Sequence, residues 1–139
     1  MKIFIACSKR FYNRIPQIQF ELENQGHEIT LPNSYDNPMA EEQFRARGLE
    51  EHAQWKASMM RKHRNNVEPN DAILVLNFDK NNQSNYIGGA TFLEMYMGWD
   101  LGKRLFLYNP IPDSILTDEI IGMQPIILNG DLSKIRCYH

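Results

Sequence analysis

The chain is predicted to fold as a single α/β domain with a mainly parallel sheet. Three observations predict it. Short apolar runs rich in Ile, Val, Leu and Phe alternate along the chain with stretches of good helix formers, the order that produces parallel strands joined by crossover helices. The run Asp71 to Phe78 (DAILVLNF) lacks polar alternation, as expected of a strand covered on both faces. A length of 139 residues lies in the range of one domain able to bury its own core, so residues 1–139 are read as one unit.

The elements follow in order. Lys2 to Cys7 (KIFIAC) is a buried strand ended by Ser8-Lys9-Arg10. Ile15, Ile18, Phe20 and Leu22 recur at near-helical spacing between Tyr12 and Asn24, and Gln25-Gly26 supplies the stop. His27 to Leu31 is the second strand, and the turn formers from Pro32 to Pro38 make a loop in which Pro38 is placed to open the next helix. Met39 to Asn66 is rich in helix formers, broken at Gly48 into two pieces. Asp71 to Phe78 is the central strand. A polar loop from Asp79 to Tyr86 leads through Ile87-Gly88-Gly89-Ala90-Thr91 into a helix reaching Leu101, then a Gly102-Lys103 turn and a strand from Leu105 to Tyr108. A short helix near Asp118 to Met123 and an edge strand from Pro125 to Leu128 complete five strands. Right-handed crossovers place helices on both faces of such a sheet, so a flavodoxin-like or Rossmann-like strand order is expected. The ligand crevice is then expected beyond the strand C-termini, where the loops after Cys7, Leu31 and Phe78 meet.

Composition narrows the functions open to the chain. A formal net charge of -2 argues against a sequence-blind grip on polymeric nucleic acid, which needs a basic surface. No apolar run is long enough to span a membrane, and the first segment turns polar too soon for a secretory leader, so a cytoplasmic location is expected. Cys7 and Cys137 have no metal-ligand spacing and are read as free thiols of a reducing compartment.

The strongest local feature is NYIGGATFLE, Asn85 to Glu94, set between a buried strand and a helix. Gly88 and Gly89 let main chain approach a ligand closely, and the helix N-terminus favours an anionic or hydroxylated group. Two readings of Glu94 stand. With Thr91 as N-cap, Thr-x-x-Glu is a capping box whose carboxylate serves only the backbone. Alternatively Glu94 faces a pocket and does chemistry.

KIFIACS, NDAILVLNF, the glycine loop and FLEMYMGWDLGKRLFLYNP together resemble the nucleoside 2-deoxyribosyltransferase superfamily, which includes the deoxynucleoside monophosphate N-glycosidases. The resemblance covers Lys2 to Pro110. It implies a homodimer or larger homo-oligomer in which a neighbouring chain completes each pocket, with the segment from Ile111 to Met123 as candidate contributor. It implies no metal or organic cofactor. The family's carboxylate nucleophile maps onto Glu94, which would attack the anomeric carbon of a deoxyribose and pass the sugar to water or another base. A carboxylate suits an oxocarbenium-like transition state, and a covalent intermediate divides one hard step into two. The family's assisting carboxylate lies eight residues ahead of the strand's opening Asp. Counting back from Asp71 gives His63, which can donate a proton near neutral pH. The family's first-strand tyrosine is Phe4 here, so a nucleotide or nucleoside sensor without turnover is the alternative, and a scaffold protein a third reading.

The loop Ala6-Cys7-Ser8-Lys9-Arg10-Phe11-Tyr12 resembles the family's substrate loop. Ser8, Lys9 and Arg10 are placed to hold a phosphate, or to form a solvated turn. Ala6, Cys7, Tyr12, Asp79, Asn85, Gly88, Gly89 and Thr91 are the remaining candidates for substrate contact. The sequence places no basic partner with Cys7, and buried cysteines are usually inert, so it is read as inert sooner than nucleophilic. His52 and His63 return to one helix face eleven residues apart, separated by about 16 Å, too far to share a metal. Trp55 and Trp99 are read as packing residues.

Overall fold

The computed structural model describes residues 1–136; Cys137 lies outside them. Five parallel strands form one sheet: β1 (Lys2–Ala6), β2 (Glu28–Thr30), β3 (Ala72–Val75), β4 (Arg104–Leu107) and β5 (Ile126–Ile127), in the order β2-β1-β3-β4-β5. This is the flavodoxin-like order. Register is set by pairs such as Ile5 with Leu74, and Leu74 with Phe106. β3 is buried at every position, as its unbroken apolar run predicts.

The helices are α1 (Ile15–Asn24), α2 (Ala40–Ala46), α3 (Leu49–Val67), α4 (Gly89–Asp100) and α5 (Thr117–Gly122). Alternating side chains of the strands feed two cores. Ile3, Ile5, Leu74 and Phe106 pack against Phe11, Ile15 and Leu22 of the α1 face. Phe4, Ile73, Val75 and Leu107 pack on the other face against Val67 of α3, Met95 of α4 and Ile120 of α5. α4 lies unusually near β3, because a Cβ at Gly98 would stand 2.1 Å from Ile73 Cδ1.

Three local expectations are corrected. The segment Lys9–Arg14 is a 3₁₀ helix, and the α-helix expected from Tyr12 starts only at Ile15. Ser8 caps the 3₁₀ turn by accepting from the Arg10 amide, and the proline at the second helical position fixes where the α-helix proper starts. Pro38 does not open α2, which begins at Ala40 after a turn. Thr91 is not the N-cap of α4: Gly88 holds that place, with no side-chain capping bond, and Thr91 is buried in the first turn.

At the strand C-termini, buried Asn77 ties β3 to β4. Its side-chain amide donates to the Asn109 and Pro110 carbonyls at 2.9 and 3.0 Å, and its Oδ1 accepts from the Asn109 amide at 2.8 Å. The loop after β3 is closed on itself as well. Lys80 and Gln83 exchange backbone bonds, Tyr86 N donates to the Phe78 carbonyl, and Asp79 Oδ1 accepts from Asn85 N at 3.1 Å. Asn81 and Asn85 take the left-handed conformation there, which asparagine tolerates better than most residues.

Candidate active site

Beyond the C-terminal end of the sheet lies a cavity of about 670 Å³, walled by the loops after β1, β2 and β3 and by α2, α3 and α4. Its position follows from helix periodicity. The buried stripe of α4 runs Thr91, Glu94, Met95, Gly98. Met95 and Gly98 meet the sheet, but α4 begins above the strand ends, so Thr91 and Glu94 at its N-terminal end meet the cavity. α3 behaves likewise: Val67 packs on the sheet, whereas His63, Met59 and Lys56, successive turns back on that face, line the cavity.

Glu94 is only 8 % exposed, and among the described residues no group donates a hydrogen bond to its carboxylate. The capping-box reading is thereby overturned, since neither Thr91 nor Glu94 caps the helix. Facing Glu94 Oε2 at 3.9 Å is His63 Nε2, itself 6 % exposed as a residue. That separation is an ion-pair contact at most, too long for a hydrogen bond.

Burial dominates the electrostatics. It pushes the Glu94 carboxyl up to about 8, so the acid is largely protonated at neutral pH. Burial, assisted by the Lys56 charge, lowers His63 below its ordinary value and keeps the imidazole neutral. The Cys7 thiol is driven to about 12 by burial and by Glu94, so it keeps its proton at neutral pH. The Tyr12 phenol is raised to about 12, chiefly by burial, while sharing a 3.2 Å hydrogen bond with Ser34 Oγ.

Of the residues singled out from sequence, Glu94, His63, Cys7, Ser8, Lys9, Tyr12, Gly88, Gly89 and Thr91 all line the cavity. Ala6 is fully buried in β1 and does not reach it, and Arg10 is exposed outside it. Asp79 and Asn85 lie off the walls as well, their mutual bond holding the loop in shape. The phosphate reading of Ser8-Lys9-Arg10 loses the Arg10 amide, which donates to Ser8 Oγ, and the Lys9 ammonium, which pairs with Glu42, while the Ser8 hydroxyl keeps its own hydrogen to donate.

Sequence reading passed over several wall residues. Trp55, expected to pack, stacks at 5.9 Å on Phe44 of α2 and also lines the cavity. Glu41 on α2 gathers His52 Nε2 at 3.0 Å and Lys56 Nζ at 3.2 Å, docking α2 onto α3. Burial opposes the Glu41 charge, but the His52 and Lys56 hydrogen bonds with the Lys56 and Arg45 charges outweigh it and hold the carboxyl below its usual range. The contact also gives His52 a partner at the core edge. Tyr86 carries Lys80 over its ring at 4.3 Å. The repeat of Lys56, Met59 and His63 at helical spacing was the available signal for the α3 wall. Trp99 does not pack as expected: it is 46 % exposed beside Tyr96.

The backbone amides of Gly89, Ala90 and Thr91 precede the first intrahelical bond, from Phe92 N to the Gly88 carbonyl at 2.9 Å, and so are available to a hydroxyl or anion. Among the described residues no three His, Cys, Asp or Glu side chains converge on a point where they would hold a metal ion. No helix among them is long and apolar enough to cross a membrane. Comparison with family models, with curated proteins and with solved structures returned no match.

Proposed function

We propose that the protein cleaves or transfers the N-glycosidic bond of a deoxynucleoside or nucleoside monophosphate, with Glu94 attacking the anomeric carbon and His63 protonating the departing base. One observation carries this reading: a buried carboxyl group without a hydrogen-bonding partner opens on a ligand-sized cavity, with an imidazole 3.9 Å away. Among the described residues only Glu42 Oε2 is a fully enclosed side-chain oxygen without a partner, so the Glu94 oxygens are open to the cavity, where a ligand can bond to them. Aromatic and thioether groups of Tyr12, Trp55, Tyr86 and Met59 suit a planar base, and the helix amides suit sugar hydroxyls. The same reading has the chain acting in the cytoplasm as a homodimer or larger homo-oligomer, without metal or organic cofactor.

A sensor that binds without cleaving is the second reading. It is favoured by Phe4, whose ring is fully buried in the sheet core and offers no phenol to orient Glu94.

Incubation with deoxynucleosides and their monophosphates, with and without a second free base, separates the two. The enzyme releases or exchanges base, and Glu94→Gln abolishes it. His63→Gln is expected to lower the rate about 10²–10⁴-fold on substrates whose base must be protonated. Ligand-dependent thermal stabilisation without release, in the wild type, favours the sensor.

A further inference from the structure

We propose that Glu94 and His63 share one proton, which passes from Glu94 Oε2 to His63 Nε2 as a ligand fills the cavity and so creates the nucleophile and the acid together. This rests on the glycosyl-transfer reading and deepens it. The two atoms stand 3.9 Å apart, both residues are more than nine-tenths buried, and neither side chain has a hydrogen-bonding partner among the described residues. A shift of about 1 Å brings them into hydrogen-bond range.

At rest the proton lies on the carboxyl, because each group, buried alone, avoids charge. Filling the cavity changes that balance. Sugar hydroxyls can donate to a carboxylate, and a base nitrogen can accept from an imidazolium, so the ligand stabilises the ion pair over the neutral pair. Other ionisable groups around the cavity keep to their own arrangements. Cys7 and Tyr12, from the segment after β1, are held protonated. Lys9 pairs with Glu42, Lys56 of α3 with Glu41 of α2, and Lys80 lies over the Tyr86 ring. Lys56 opposes the imidazolium through its charge, so the ligand must supply the difference.

The steps balance. The carboxyl gives its proton to Nε2, and the carboxylate oxygen bonds to the anomeric carbon. The carbon–nitrogen bond breaks with its electron pair going to the base, and the imidazolium passes the proton it took from Glu94 to that nitrogen. A glycosyl ester, a neutral base and a neutral His63 remain. Water then adds to the sugar carbon as His63 takes its proton, Glu94 leaves as carboxylate, and the imidazolium proton returns to it.

Two experiments test this. In isotope-labelled wild-type protein, NMR of the ring nitrogens, assigned with His63→Gln, should show His63 neutral alone and imidazolium with an uncleavable deoxy-C-nucleoside. On rate, the wild type should lose kcat/KM both on acidification, when both groups are protonated, and above about 8, when the shared proton is gone. His63→Gln assayed on a nitrophenyl deoxyriboside, whose leaving group needs no proton, should instead rise about tenfold per pH unit up to about 8 and then level off. Base release by a wild type whose His63 stays neutral in the analogue complex overturns the proton transfer alone. So does a His63→Gln profile already level at neutral pH. A wild type that releases no base from any substrate ends the glycosyl reading and this proposal with it.

Discussion

Replacing Glu94 by Gln should stabilise the protein while removing its proposed chemistry, and the gain should depend on pH. The folded carboxyl titrates near 8 because it is buried, against 4.5 as the ordinary value of the unfolded chain. Below about 4.5 both states hold the proton, and the group imposes no ionisation cost on folding. As pH rises towards 8 the unfolded chain releases its proton and the folded one retains it, so stability falls with pH, and above 8 the loss is constant. At 1.36 kcal/mol per pK unit the loss reaches about 3 kcal/mol at neutral pH, an upper limit because local relaxation softens it. Gln fills the same volume and does not ionise. Its advantage should be near zero at about pH 4 and roughly 1–3 kcal/mol at about pH 7, a shift of roughly 3–4 °C in Tm per kcal/mol. Denaturant unfolding of both proteins across that range measures it. Parallel pH profiles, or a Gln variant less stable throughout, would show that the native carboxylate is solvated or hydrogen-bonded, and the argument from a buried, unpaired acid would fall.

Other changes test the scaffold around the site. Gly98→Ala drives a methyl group into Ile73 in a fully packed layer and should cost about 1–3 kcal/mol by chemical denaturation. Asn77→Leu strands the Asn109 amide and two carbonyls beyond β3 and β4, so a loss of about 2–3 kcal/mol is expected, together with weaker ligand binding. Glu41→Gln removes the charge that collects His52, Lys56 and Arg45; hydrogen exchange of α2 should quicken, whereas β3 should be unchanged. Because Glu41 is held below the usual carboxylate range, its contribution is present at neutral pH and is lost as pH falls through its folded value.

The architecture was legible because strand burial and helix amphipathicity are local patterns. The unbroken DAILVLNF pointed to a strand covered on both faces, and Gln25-Gly26, Gly48 and Gly102-Lys103 marked where helices end or break. From these the parallel sheet, its five strands and the end of it that carries the cavity follow by connection rules alone. Glu94 and His63 were also singled out, but as residues 31 positions apart in one chain, without a distance between them. Whether Glu94 folds back onto its own helix depends on who reaches the first turn, and Gly88 at the cap with Thr91 turned inward settled that in three dimensions. Likewise nothing local distinguishes a lysine, a methionine and a tryptophan on a helix surface from the wall of a cavity. Lys56, Met59 and Trp55 became walls because α3 extends past the strand ends, with α2 docked on it through Glu41. The ionisation of Glu94 belongs to the folded state entirely. The Glu94 carboxyl keeps its proton at neutral pH because surrounding atoms bury it, and those atoms come from segments far apart in the sequence.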